Sequence, residues 1–125
     1  MQMGEFKQEV LRINNKVNME VFKQGLLSQP IDVFRNEVVI TAKNRRVNVL
    51  AFGALDKQTT DMMDRALIVR HKKVFAEMMR DELGVTVLSH LKDYDPDLEI
   101  SASVTIFERN IDELLPELHL RTPAP

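Results

Sequence analysis

The 125-residue chain has no cysteine, no tryptophan, one tyrosine and four glycines. Lack of cysteine excludes disulfides, thiolate catalysis and the cysteine-based zinc sites, and it fits a reducing compartment. With one tyrosine, six phenylalanines and no tryptophan, platforms for stacking nucleic-acid bases are scarce. The glycines are scattered as Gly4, Gly25, Gly53 and Gly84. No phosphate-cradling loop, dinucleotide fingerprint or G-x-S-x-G elbow can therefore be drawn. Long apolar runs are also missing. Stretches such as Val49-Leu50-Ala51-Phe52 fall far short of the ~20 residues that span a bilayer. The first ten residues carry charge throughout and have no apolar stretch of signal-peptide length, and Gly4 is misplaced for myristoylation. A cytoplasmic location without membrane insertion is the expectation. Neither sign of charge dominates: 17 Lys and Arg stand against 19 Asp and Glu, a net −2, which argues against a dedicated nucleic-acid binder.

What is present is ordinary globular material, 44% hydrophobic and 29% charged, enough for one domain with a real core. From Met3 to about Leu27, Met3, Phe6, Val10, Ile13, Val17 and Val21 recur at spacings of three or four, which predicts an amphipathic helix with a short seam-like stripe. Gly25 and Pro30 are its stop signals. A β-rich region follows. Val38 to Thr41 predicts one strand and Val47, Val49 and Phe52 another, joined by a polar turn at Lys43-Asn44-Arg45-Arg46. Ile31 to Phe34 is a shorter candidate strand, with Arg35-Asn36 as its turn.

Asp56 or Thr60 is placed to cap a second helix running to about Leu83, and Gly84 to end it. The expected core stripe of that helix is Met63, Ala66, Leu67, Val74 and Met78, flanked by Ile68, Phe75 and Met79. A helix apolar on two sides suggests two partners, the sheet and a second subunit. Val85 to Leu88 begins a further strand, Asp93 to Asp97 is a turn, and Leu98 to Phe107 returns as a strand. In that last strand Ile100, Ala102, Val104 and Ile106 alternate with Ser101, Ser103 and Thr105, which predicts a sheet with one polar, wetted face. A short helix over Ile111 to Leu118 and a Pro-rich end complete the chain. The fold class expected is α+β. Two antiparallel hairpins form one sheet, two long helices pack on one face, and the order is α-β-β-α-β-β-α.

Candidate chemistry is sparse. Asp93, Asp95 and Asp97 match the start of a calcium loop, but Leu98 stands at the turn-glycine position and Val104 at the closing glutamate position, so the run reads as a solvated turn. No two of His71, His90 and His119 have helical zinc spacing. His71 is expected near the core and His90 exposed. No metal or cofactor is expected. Arg70 falls by helical spacing inside the apolar stripe, where a buried guanidinium requires a salt bridge, an anion or a route to water. Lys43, Arg45 and Arg46 form a basic turn, and Arg65, Lys72 and Lys73 add charge on the second helix. The balance shifts along the chain, with eleven basic and eight acidic residues up to Arg70, and six and eleven after it.

From Pro30 to Phe107 the chain resembles the MpsC-like family, long catalogued as a domain of unknown function. The resemblance is carried by Pro30 ahead of a β-rich pair, Gly53-Ala54-Leu55-Asp56 at the end of a strand, and Arg70 in a long helix at a position where the family has an arginine. Leu83-Gly84-Val85 and a closing Val104-Thr105-Ile106-Phe107 complete it, and the first helix fits the family's N-terminal helix. It implies one domain over residues 1–109, with a short helix and tail over 110–125 outside it. It also implies a small cytoplasmic accessory protein linked to cation- or bicarbonate-coupled membrane systems, and it transfers no catalytic residues. The leading expectation is therefore a non-enzymatic interaction module, homodimeric, with a membrane-transport protein as a further partner. The alternative is a sensor of a small anion near Arg70 and His71. A nucleic-acid binder through Lys43, Arg45 and Arg46 ranks last.

Overall fold

The computed structural model describes residues 1–45 and 56–118. Helix α1 spans Met3–Phe22, strands β1 and β2 span Ile31–Phe34 and Glu37–Lys43, and helix α2 spans Lys57–Met78 and continues as a π-helical turn, Met79–Leu83. Strands β3 and β4 cover Val87–Asp95 and Ile100–Phe107, and a short helix, α3, covers Ile111–Leu114 with a 3-10 turn, Leu115–Glu117. The chain is thus α+β in the expected order. One four-stranded antiparallel sheet runs β1-β2-β4-β3.

Phe6, Val10, Ile13, Val17 and Val21 form the buried stripe of α1, as their spacing predicts. The helix stops at Phe22, five residues before the expected end, because Lys23 turns left-handed at φ 61°. Three asparagines then hold the following loop against the helix. Leu26 N–H donates to Asn15 Oδ1 at 3.0 Å, Asn18 Nδ2 donates to the Gln24 carbonyl at 2.7 Å, and Asn14 Nδ2 donates to Gln29 Oε1 at 3.0 Å. Helix α2 starts at Asp56, whose carboxylate accepts the Thr59 N–H at 2.7 Å, and ends at Gly84 with φ 72°, both as expected.

The first hairpin uses the shorter candidate strand. Phe34 pairs with Glu37 across the Arg35-Asn36 turn, with Arg35 at φ 57°. Phe107 N–H donates to the Asn36 carbonyl at 2.9 Å and Ile111 N–H to the Arg35 carbonyl at 2.8 Å, so β4 and α3 both grip this turn. The strand expected at Val47 to Phe52, and Arg46, lie outside the described residues. In the second hairpin Asp95 Oδ1 accepts the N–H groups of Asp97 and Leu98 at 3.0 and 3.1 Å, so this acid serves the turn. Ile111 and Leu118, both buried, belong to the same core as α1, with Phe107 packed edge-on against Phe6.

In β4 the faces are opposite to the sequence expectation, while β2 buries Val38, Ile40 and Ala42 under the helices. Ser101, Ser103 and Thr105 are buried under the helices, while Ile100 and Ala102 are exposed and Val104 and Ile106 half-buried on the far side. The reason is cross-strand size. On the helix side small residues of β4 face large ones of β3: Thr105 pairs with His90, Ser103 with Lys92 and Ser101 with Tyr94. A large β-branched residue at those β4 positions would compete for the space these side chains occupy.

Candidate functional site

The most unusual chemistry in the core lies where α1, α2 and β3 meet. His71 of α2 is fully buried and His90 of β3 nearly so. Their rings stack 5.4 Å apart, Phe75 stacks on His90 at 4.3 Å, and Phe22 closes the far side of His71 at 6.0 Å. His90 Nδ1 lies 2.8 Å from the Thr105 hydroxyl. Its Nε2 and both ring nitrogens of His71 have no hydrogen-bond partner among the described residues. Burial first, and then the charge of Lys92, pushes the imidazolium forms far down, His71 to about 2 and His90 to about 3. Both rings are thus neutral and serve as aromatic packing at ordinary pH.

Lys92 borders this cluster. Its Nζ sits 6.0 Å from the Phe22 ring centroid, and burial pulls its ammonium down to about 8. The same lysine lines an open cleft of about 350 Å³ between α2 and β3. Arg65, Ile68 and Lys72 supply the helical wall, and Asp93 and Tyr94 flank Lys92 on the strand. Among the described residues no cluster of His, Asp and Glu suits a metal ion, and no helix is long and apolar enough to cross a membrane.

Two expectations are corrected by this geometry. Arg70 is exposed on α2, because the buried face runs through His71, Val74, Phe75 and Met79, which keeps Val74 of the expected stripe and centres on its expected flank. That flank lies one position, about 100°, round the helix, so Met63 and Ala66 of the expected stripe are exposed as well. The burial that motivated an anion site at Arg70 is absent, and of the pair Arg70 and His71 only the histidine reaches the core. His90, expected at the surface beyond the end of its strand, is buried because β3 continues to Asp95 and its bulge turns His90 inward. Val87 pairs with Phe107 and Ser89 with Ile106, leaving Leu88 as the extra residue. After the bulge the inward positions become His90, Lys92 and Tyr94 instead of Ser89, Leu91 and Asp93. The alternation of small polar residues in β4 was the only sequence sign that something bulky and polar would face them.

Among the described residues the basic side chains do not gather into one patch. Lys43 and Arg45 are exposed at the end of β2, and Lys43 lines a shallow groove beside Pro30 and Ile100. Arg65 and Lys72 line the α2–β3 cleft, while Lys73 is exposed. No protein-family model, no curated protein and no solved structure matches the chain.

The open face of the sheet is the second feature of note. Val39, Val104 and Leu91 form one row straight across β2, β4 and β3. Phe34 and Ile106 lie in the row on one side, and Ala102 and Ile100 in the two rows on the other. Phe34 is 61% exposed, Leu91 53% and Ile100 42%. Glu37 and Lys43 stand at opposite ends of β2 on this same face, which also carries Asp32 on β1 and Asp93 and Asp95 on β3.

Proposed function

We propose that the chain is a non-enzymatic interaction module that pairs with a second copy through the open face of its sheet. The observation that carries this reading is the outward Val39–Val104–Leu91 row with Phe34, Ile106 and Ile100 around it. A soluble antiparallel sheet normally turns its apolar side to the helices and its polar side to water. Here the covered side is apolar at Val38, Ile40 and Ala42, and the uncovered side carries large apolar residues as well. Contiguous apolar surface of this kind marks an interaction site.

A second copy suits the face because two of its charges are complementary under a two-fold. A two-fold axis lying in the interface, perpendicular to the strands, lays β2 over β2 in reverse, which brings Glu37 of each copy over Lys43 of the other. Four strands about 4.8 Å apart and some seven residues long present a patch of about 400 Å² in plan on each copy. Two such patches together bury about 800 Å², below the range of stable specific interfaces, so the pair is expected to be weak and reversible, with a dissociation constant in the upper micromolar range. As the MpsC-like resemblance implies, the pair would act as an accessory or regulatory unit of a cation- or bicarbonate-coupled membrane system from the cytoplasmic side. The neutral histidines support a non-enzymatic reading, since they are spent on packing. Nucleic-acid binding through Lys43 and Arg45 is less well supported, because the cations of α2 lie elsewhere.

Sedimentation equilibrium between about 1 and 200 μM tests the pairing. The wild type is expected to shift from monomer towards dimer, and Leu91→Glu to stay monomeric with unchanged unfolding. Glu37→Lys is expected to weaken the pair, and the added Lys43→Glu to restore it. A wild type that remains monomeric throughout refutes the reading.

A further inference from the structure

We propose that the cleft between α2 and β3 is a binding site for a small oxyanion, a phosphate or carboxylate group held between Lys72 and Lys92. The site is separate from the open face, since Lys92 points to the helix side of β3 and its neighbour Leu91 to the other.

The cleft is lined by charges of both signs. It has as many acids as cations, Asp61, Asp64 and Asp93 against Arg65, Lys72 and Lys92, but none of the acids pairs with Lys72 or Lys92. Asp61 lies 3.6 Å from Lys57 Nζ, Asp93 Oδ1 accepts the Tyr94 N–H at 2.8 Å, and Asp64 also has an interaction of its own. Lys72 and Lys92 make no ion pair or hydrogen bond with any described residue. Lys92 is nonetheless the more buried of the strand's charged groups, with a phenylalanine ring beside it. An ammonium group partly withdrawn from water without a counter-ion is unfavourable, and the usual resolutions are a partner, a bound anion or a lowered pKa.

The surroundings agree from a second direction. Lys72 and Lys92 both depress the His90 imidazolium, so their positive fields overlap at the inner end of the cleft. Lys92 is lowered by burial alone, without a carboxylate to hold it up. The remaining wall is apolar at Ile68, Val69 and Pro96. An oxyanion carried on a compact organic body fits such a lining: the charge meets two lysines and the body meets the aliphatic wall. At about 350 Å³ the cleft has room for a small molecule and not for a polymer.

Thermal unfolding with inorganic phosphate and with malonate, against sodium chloride at the same ionic strength, tests the site. At about ten times the dissociation constant the bound anion is expected to raise Tm by roughly 3–6 °C over the chloride control. The more effective of the two anions assigns the class, phosphate or carboxylate. Lys92→Met should abolish the response, Lys72→Met reduce it about tenfold in affinity, and Lys73→Met on the exposed side of the helix leave it intact. A second measurement uses only the wild type. At pH 8.5 Lys92 is largely neutral, and an anion that restores its charge must draw a proton from the buffer. Titration calorimetry in two buffers of different ionisation enthalpy should therefore report net proton uptake. Stabilisation no greater than with chloride, a response that survives in Lys92→Met, or binding without proton uptake would each overturn the proposal.

Discussion

Acid should weaken this fold earlier than its carboxylates alone would, because two histidines are locked neutral in the core. In the unfolded chain each titrates near 6.5, whereas in the folded protein His71 accepts a proton only near 2 and His90 only near 3. Above the unfolded value neither state binds the proton and the full stability is present. As pH falls below about 6.5 the unfolded chain takes up protons that the folded core refuses, and stability declines until the folded values are reached. Each pH unit of that window is worth about 1.4 kcal/mol for one histidine, so lowering pH from 7.5 to 5 removes about 2 kcal/mol per ring and about 4 kcal/mol in all. That is a large share of the ~5–15 kcal/mol that holds a domain together. Nothing packed against the rings offsets the loss: Phe22 comes from α1, Phe75 from α2, Thr105 from β4, and the nearby charges, Lys92 and Lys72, are both positive. Urea unfolding at pH 7.5, 6 and 5 measures the slope. His71→Phe preserves the ring stack and cancels the carboxylates from the comparison, so it should lose about 2 kcal/mol less than the wild type over the same interval. Equal losses in the two proteins would show that His71 is charged or solvated in the fold, and would remove the reasoning.

Other consequences are more local. Phe107→Ala, which empties a fully buried position against Phe6, is expected to cost about 3–5 kcal/mol by denaturant unfolding. Arg70→Glu lies on the exposed side of α2 and should leave stability within about 0.5 kcal/mol of the wild type. A loss of several kcal/mol there would mean that the buried stripe had been misplaced.

How far the fold could be read from residues depended on how much each element relied on its own pattern. Helix α1 was legible because five large apolar residues recur along one face at unbroken spacing, although Asn14 and Asn18 are buried beside them and Met19 is exposed. Helix α2 was not, because its stripe is mixed: Thr60 and His71 are buried while Met62 and Val69 are exposed. An apolar count therefore draws the face about one residue out of phase, and it is that phase which separates Arg70 from His71. In β4 the alternation was read correctly and its sides were exchanged. Alternation fixes which residues share a face; which face is covered is decided by the helices and by the size of the β3 side chains opposite. The cluster of His71, His90 and Lys92 was invisible for a related reason. Its members lie far apart in sequence, and the strand that supplies two of them changes phase at Leu88.

That change of phase makes two adjacent features depend on one irregularity. Leu88 is the additional residue between the Val87–Phe107 and Ser89–Ile106 pairs, and it is 60% exposed. Deleting it should close the ladder to one residue against one, leaving His90 and Lys92 inward and Leu91 outward. The loss of so exposed a side chain is expected to change stability by no more than about 1 kcal/mol. Deleting Leu91, three positions on and nearly as exposed, is different. If the chain after it shifts, Lys92 takes the outward place; if the chain before it slides and absorbs the bulge, His90 does. Either way a member of the buried cluster leaves the helix side and a cavity opens beside Phe75, at a cost of several kcal/mol in the range of large-to-small core changes. The two deletions thus differ little in the area of side chain removed and greatly in the register they impose. Denaturant unfolding of the pair decides the point. If the Leu88 deletion is the damaging one, the bulge does not set the facing of β3, and both the open apolar row and the Lys92 cleft would need another origin.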